Sequence, residues 1–160
     1  MAARESTAKS ESAQEFREVM RRDIADRWAE LWKEMPEAIK GKDMESVHKV
    51  RVASRRLRAA MDIATDCFPA KSYRPLHKTA KRITKALGEV RDRDVLLEAL
   101  TKKRESASEA EQKAIDYLVE RIESDRKQAR KSMVRFFRKL EKQGVRKRTR
   151  RQFRAKGDQA

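Results

Sequence analysis

The stretch Val47–Met61 reads VHKVRVASRRLRAAM and sets one histidine among five cationic side chains, Lys49, Arg51, Arg55, Arg56 and Arg58. On a helix turning ~100° per residue, His48, Arg51, Arg55 and Arg58 fall within an arc of about 80° and form a stripe roughly three turns long. Val47, Val50, Ser54, Leu57, Met61 and Ala64 form a second stripe of similar width, centred ~120° away. One helix therefore carries an apolar seam and a cationic seam. Solubility does not require four aligned Arg and His groups; the chemistry they offer is anion binding. Arginine presents paired donors to phosphate or carboxylate oxygens. A histidine adds a hydrogen bond when neutral and a charge at mildly acidic pH.

A second cationic seam lies further on. Arg74, Lys78, Lys81 and Lys85 recur at steps of four, three and four beside an apolar side of Leu76, Ala80, Ile83 and Leu87. The segment LGEVRDRDV follows, with Arg91, Asp92 and Asp94 reading as an ion-pair and capping cluster.

The elements that must position these seams are helices. Phe16, Val19, Met20, Ile24, Trp28, Leu31, Trp32 and Met35 predict a first amphipathic helix from about Ser12 to Met35, with both tryptophans in its core seam. Pro36 and Gly41 predict a turn, and Asp43 an N-cap for a second helix that ends near Asp66. Pro69 and Pro75 bracket the next connection, and a third helix starts near Ser72. Gly88 is expected to interrupt it, with Asp92 or Asp94 capping a renewed helix. A polar turn follows between Thr101 and Glu109. A last helix from about Ser108 to Lys142 has Ala114, Leu118, Ile122, Ala129, Met133, Phe136 and Leu140 in its seam, and Gly144 ends it. These segments predict an all-α fold, an antiparallel four-helix bundle of long helices. Its divisions are a flexible N-terminus over 1–10, the bundle over 11–143 and a disordered or fraying basic tail over 144–160. Unpaired arginines are too costly for a dry core. The two seams are therefore expected on a flank, facing one another across a wet basic groove.

Composition narrows the partner. A formal charge of +16 on 160 residues calls for a polyanion: nucleic acid, an inorganic polyanion or an anionic membrane surface. Residues 145–160 hold seven Lys/Arg against one Asp, so the remainder is basic without them. The chain has no alternating strand pattern, internal repeat, Gly-rich phosphate loop or Cys/His metal cluster, and no metal or cofactor is implied. The single Cys67 fits a structural position at a helix end in a reducing compartment. No apolar run approaches ~18 residues, so no membrane insertion is expected, and the chain reads as soluble and cytoplasmic.

The pair HKVRVASRRLRAAM and LGEVRDRDV, in that order some 30 residues apart, resembles the CHAD domain, the conserved-histidine α-helical domain. The resemblance runs from about Gln14 to Leu140. It implies a helical domain whose basic surface binds inorganic polyphosphate and associates with polyphosphate granules. It also implies binding residues: His48, Arg51, Arg55, Arg56 and Arg58 in the first motif, Lys78, Lys81, Arg82 and Lys85 on the third helix, and Arg126 and Arg130 on the last. The family's usual domain holds two such halves, each with its own histidine motif, and this chain holds one. Either the single bundle binds alone, or two chains pair as a homodimer to rebuild the two-half surface; twofold pairing is the favoured reading.

Three classes of function follow. A non-enzymatic polyphosphate-binding module leads. A nonspecific nucleic-acid-binding protein is the alternative, supported by the basic pI and tail and opposed by few aromatics for base stacking. A phosphohydrolase is disfavoured, because His48 and His77 are not at ligand spacing and Asp92 with Asp94 alone do not make a metal site.

Overall fold

The computed structural model describes residues 2–154, with side chains from residue 9 onward. It consists of five α-helices: α1 (Ala2–Lys40), α2 (Met44–Ile63), α3 (Ala70–Arg104), α4 (Glu109–Lys142) and α5 (Val145–Phe153), with a 3₁₀ turn at Thr65–Cys67. No strand occurs among the described residues. Among the described residues, no helix is long and apolar enough to cross a membrane.

Several boundaries sit where local chemistry puts them. The Asp43 carboxylate accepts from the Ser46 amide at 2.8 Å and starts α2. Ser108 and Glu111 form a reciprocal capping box that starts α4. Gly41 and Gly144, both at φ 65, end α1 and α4 in the left-handed region that a residue without Cβ adopts cheaply. Cys67 is a free, half-buried thiol in the 3₁₀ turn.

Other expectations are corrected, each because packing overrides a local cue. Helix α1 begins at Ala2, well before the expected start near Ser12. Pro36 does not end α1: it is exposed, and the buried Met35 and Ala38 keep the helix on the core for another turn. Gly88 does not break α3, and neither Asp92 nor Asp94 caps a new helix. Leu87, Val90 and Leu97 are buried on both sides of the glycine, so one continuous helix buries more than two capped pieces would. The basic segment after Gly144 is not disordered over 145–153; it forms α5, so the helices number five rather than four. Val145, Thr149 and Phe153, at steps of four, are buried. The last six residues of the expected tail lie outside the described residues.

The core joins α1, α2, α3, α4 and α5 in one cluster. Trp28 and Trp32 stack at 5.6 Å between ring centroids, and the Trp32 indole donates to Thr149 Oγ1 at 3.1 Å, pinning α5 on α1. Phe153 meets the rings of Tyr73 and Phe68 edge-on. The Tyr73 hydroxyl donates to the Met61 carbonyl at 2.6 Å. Burial pushes its pKa far above the usual phenol value, so this donor stays protonated.

Gly88 offers a direct stability test. A Cβ there would meet only the Arg51 guanidinium, at 3.7 Å, which is ordinary contact. Gly88→Ala is expected to raise stability by about 0.5–1 kcal/mol, the helix-interior cost of glycine. Urea unfolding would show this as a higher midpoint with an unchanged slope; a lower midpoint would mean the site cannot take a methyl group.

Candidate functional site

The apolar seam of α2 is buried as its spacing requires: Val47, Val50, Ser54, Leu57 and Met61 face the core. That burial turns the cationic seam outward. Arg55 and Arg58 are exposed, and His48 and Arg51 are half-buried. Facing it is α3, in an antiparallel register read from four contacts. Arg51 Nη2 lies 3.6 Å from Asp92. Thr84 donates to the Ser54 carbonyl at 3.4 Å. His77 and Lys81 reach Asp62 at 2.6 and 3.9 Å. Residue numbers climb on α2 as they fall on α3. The first half of α3 therefore lies alongside the stripe, and Lys78 and Lys85 are exposed near its ends.

The charges of this surface fall into two sets. Arg51 is largely committed to structure. Its guanidinium lies across Gly88 toward Asp92, and its Nε is buried without a partner. Arg58 lies 3.7 Å from Asp62, which it shares with His77 and Lys81. In contrast, the side chains of Arg55, Arg56, Lys78 and Lys85 make no hydrogen bond or ion pair among the described residues, and neither does that of His48. Arg56 is exposed but stands ~100° round the helix from Arg55, off the stripe. Arg82 points the other way, its guanidinium 4.7 Å above the Phe136 ring of α4.

Arg126 and Arg130 stand apart from this surface. Arg126 pairs with Asp94, whose side chain is fully buried. Arg130 donates to the Ala38 and Ile39 carbonyls at 2.8 and 2.6 Å, which are among the orphan acceptors at the C-terminus of α1. Both arginines hold helices together. Arg91 pairs with Glu98 at 3.4 Å.

Two features escaped the sequence reading. Asp62 and His77 form the centre of the α2–α3 charge cluster, although His77 is followed by no arginine pattern that would have drawn attention to it. The second is an open groove of about 800 Å³ between α4 and the end of α1, lined by Lys127, Lys131, Arg135, Arg138 and Lys142 along with Arg130, and by no acidic residue. Its cations recur at steps of four, four, three and four, a helical seam as regular as the one on α3. Charge is segregated along the chain accordingly. Residues 89–125 hold eleven acidic and seven basic side chains, while residues 126–160 hold two and fifteen. The half of the α3–α4 pair nearest the cationic seams is the basic half.

No group of three or more His, Cys, Asp or Glu among the described residues is placed to hold a metal. No curated protein and no solved structure matches the chain. The family model of the CHAD domain matches residues 8–159, reaching past the expected Gln14–Leu140 span at both ends and taking in α5. With the histidine–arginine helix, the LGEVRDRDV segment and an all-helical fold all inside that match, the chain belongs to the CHAD domain family.

Proposed function

We propose that this protein binds inorganic polyphosphate, without chemistry, on the surface shared by α2 and the first half of α3. The observation that supports this most is the set of unpaired, exposed cations there: Arg55, Lys78 and Lys85, with His48 half-buried beside them. Membership in a family linked to polyphosphate points to the same ligand. Polyphosphate offers about one negative charge per phosphate and no base to read, so a row of cations suffices as a binder. Asp62 and Asp92 spread the like charge of the free protein, and a bound polyanion would replace them as counter-charge. The basic α4 groove is a second track of the same kind. On this reading the helices form an antiparallel bundle with a basic groove on its flank. Residence at polyphosphate granules and a homodimer that joins two such surfaces are part of the same proposal.

The test is competition of labelled polyphosphate with random-sequence DNA and RNA at matched phosphate and salt concentrations. Polyphosphate is expected to win, and equal competition by DNA would instead favour a nonspecific nucleic-acid binder. Arg55→Ala with Lys78→Ala and Lys85→Ala is expected to weaken polyphosphate binding at least tenfold with helicity intact. By analogy with single-stranded nucleic acids, losing three phosphate contacts should flatten the log–log salt dependence by about 2. A triple variant with wild-type affinity and slope would move the site elsewhere.

A further inference from the structure

A further basic crevice lies between α1 and α5, with a volume of about 720 Å³. Arg21 and Arg22 of α1, Arg146 and Arg150 of α5, and Arg154 just past the end of α5 line it, against one carboxylate, Asp26. The stacked Trp28 and Trp32 line the same crevice. The Trp28 indole N–H is buried there without a partner, a donor that the protein itself leaves unsatisfied.

The arginines differ in how they are held. Arg21 is fixed by Glu18 at 2.5 Å and by the Phe153 carbonyl, and Arg22 reaches Glu18 at 3.2 Å. The Arg21 hydrogen bond holds the Glu18 carboxyl down to about 2, so this anchor stays ionised. Arg146 and Arg150 are exposed, one helical turn apart, and their side chains make no hydrogen bond or ion pair among the described residues. The α1 side is thus a rigid wall and the α5 side a pair of free guanidinium forks. Paired forks one turn apart suit an anion with several oxygens on adjacent centres. The crevice is roomy enough for more than one phosphate.

We infer that the α1–α5 crevice is a separate anion site, which takes a short run of condensed phosphate, either a free oligophosphate or the end segment of a longer chain, through Arg146 and Arg150. This deepens the polyphosphate reading and rests on it for the class of ligand, but not for the place. The site is separate from the α2–α3 surface, and α5 is what builds it.

The two tryptophans of the chain both line this crevice, so their emission reports on it and not on the α2–α3 surface. The experiment titrates inorganic tripolyphosphate into the full chain, reading heat and tryptophan emission together. Saturable binding with an emission change is expected for the wild type. Arg146→Ala with Arg150→Ala should lose at least tenfold in affinity, with helicity unchanged, because both side chains are exposed and alanine favours the helix. Arg55→Ala with Lys78→Ala and Lys85→Ala should keep the tripolyphosphate site and lose affinity for long chains. That pattern separates the two readings: tripolyphosphate binding that survives the α2–α3 substitutions stands even if long-chain binding there is absent. No heat and no emission change in the wild type would overturn the inference, as would a site lost with the α2–α3 substitutions and kept in the α5 variant. An ATP arm decides the source of the phosphates; tighter binding of ATP than of tripolyphosphate would overturn the assignment to an inorganic chain.

Discussion

Arg126→Met is expected to destabilise the protein by about 3–5 kcal/mol, the cost of leaving a buried charge without its partner. Asp94 is 0% exposed, Arg126 is its only ion-pair partner among the described residues, and its second oxygen already lacks a hydrogen bond. A melting temperature lower by roughly 6–20 °C would follow for a chain of this size. Replacing both partners, Asp94→Leu with Arg126→Met, should recover much of the loss, because apolar residues remove the desolvation cost along with the attraction. The same measurements decide what Arg126 is for. A ligand arginine would leave stability nearly unchanged and lower polyphosphate affinity; a structural one does the reverse. A single variant that melts like the wild type would mean that the ion pair does not hold α3 to α4 and that Arg126 is free to meet polyphosphate.

The sequence made some of this legible and hid the rest for definable reasons. Helix starts were visible at Asp43 and Ser108 because an N-cap is a local event: a side-chain oxygen and an amide three residues on. The pairing of α2 with α3 was visible because consecutive helices pack on one another. Breaks at Pro36 and Gly88 were misread because their local cost is small beside the apolar surface buried on either side. The 145–160 segment looked unstructured because its apolar residues are few; two of them, Val145 and Phe153, with the hydrogen-bonded Thr149 midway between at steps of four, were enough to dock a two-turn helix. The family resemblance gave Arg126 and Arg130 as binding residues, and the structural partners they also have were hidden because those are remote, Asp94 at 32 residues and the α1 carbonyls at 91 and 92. A cation's partner is a property of the fold, and spacing alone does not reveal it. The α4 cations are a different case: their period is readable in the sequence beside the apolar seam.

Gly41→Ala is expected to cost about 3–5 kcal/mol, and its comparison with Gly144→Ala isolates the work of Arg130. Both glycines stand at φ 65, so each substitution carries the left-handed backbone cost of about 1–2 kcal/mol. At Gly144 nothing lies within 4 Å of the added Cβ, and the backbone cost is the whole effect. At Gly41 the Cβ would fall 2.1 Å from Arg130 Cζ. The guanidinium would have to leave, and its bonds to the Ala38 and Ile39 carbonyls would go with it. Hydrogen bonds from a charged donor contribute about 1.5–3 kcal/mol, and the two orphaned carbonyls lie at the end of α1, where no helical amide can reach them. In an Arg130→Ala background that second contribution is already absent, so Gly41→Ala should then cost about as much as Gly144→Ala. The difference between the two backgrounds is the coupling between the turn and the α4 arginine, read from urea unfolding of the four proteins. Equal costs for Gly41→Ala in both backgrounds would mean that Arg130 does not cap α1, and would leave its charge available to an anion in the α4 groove.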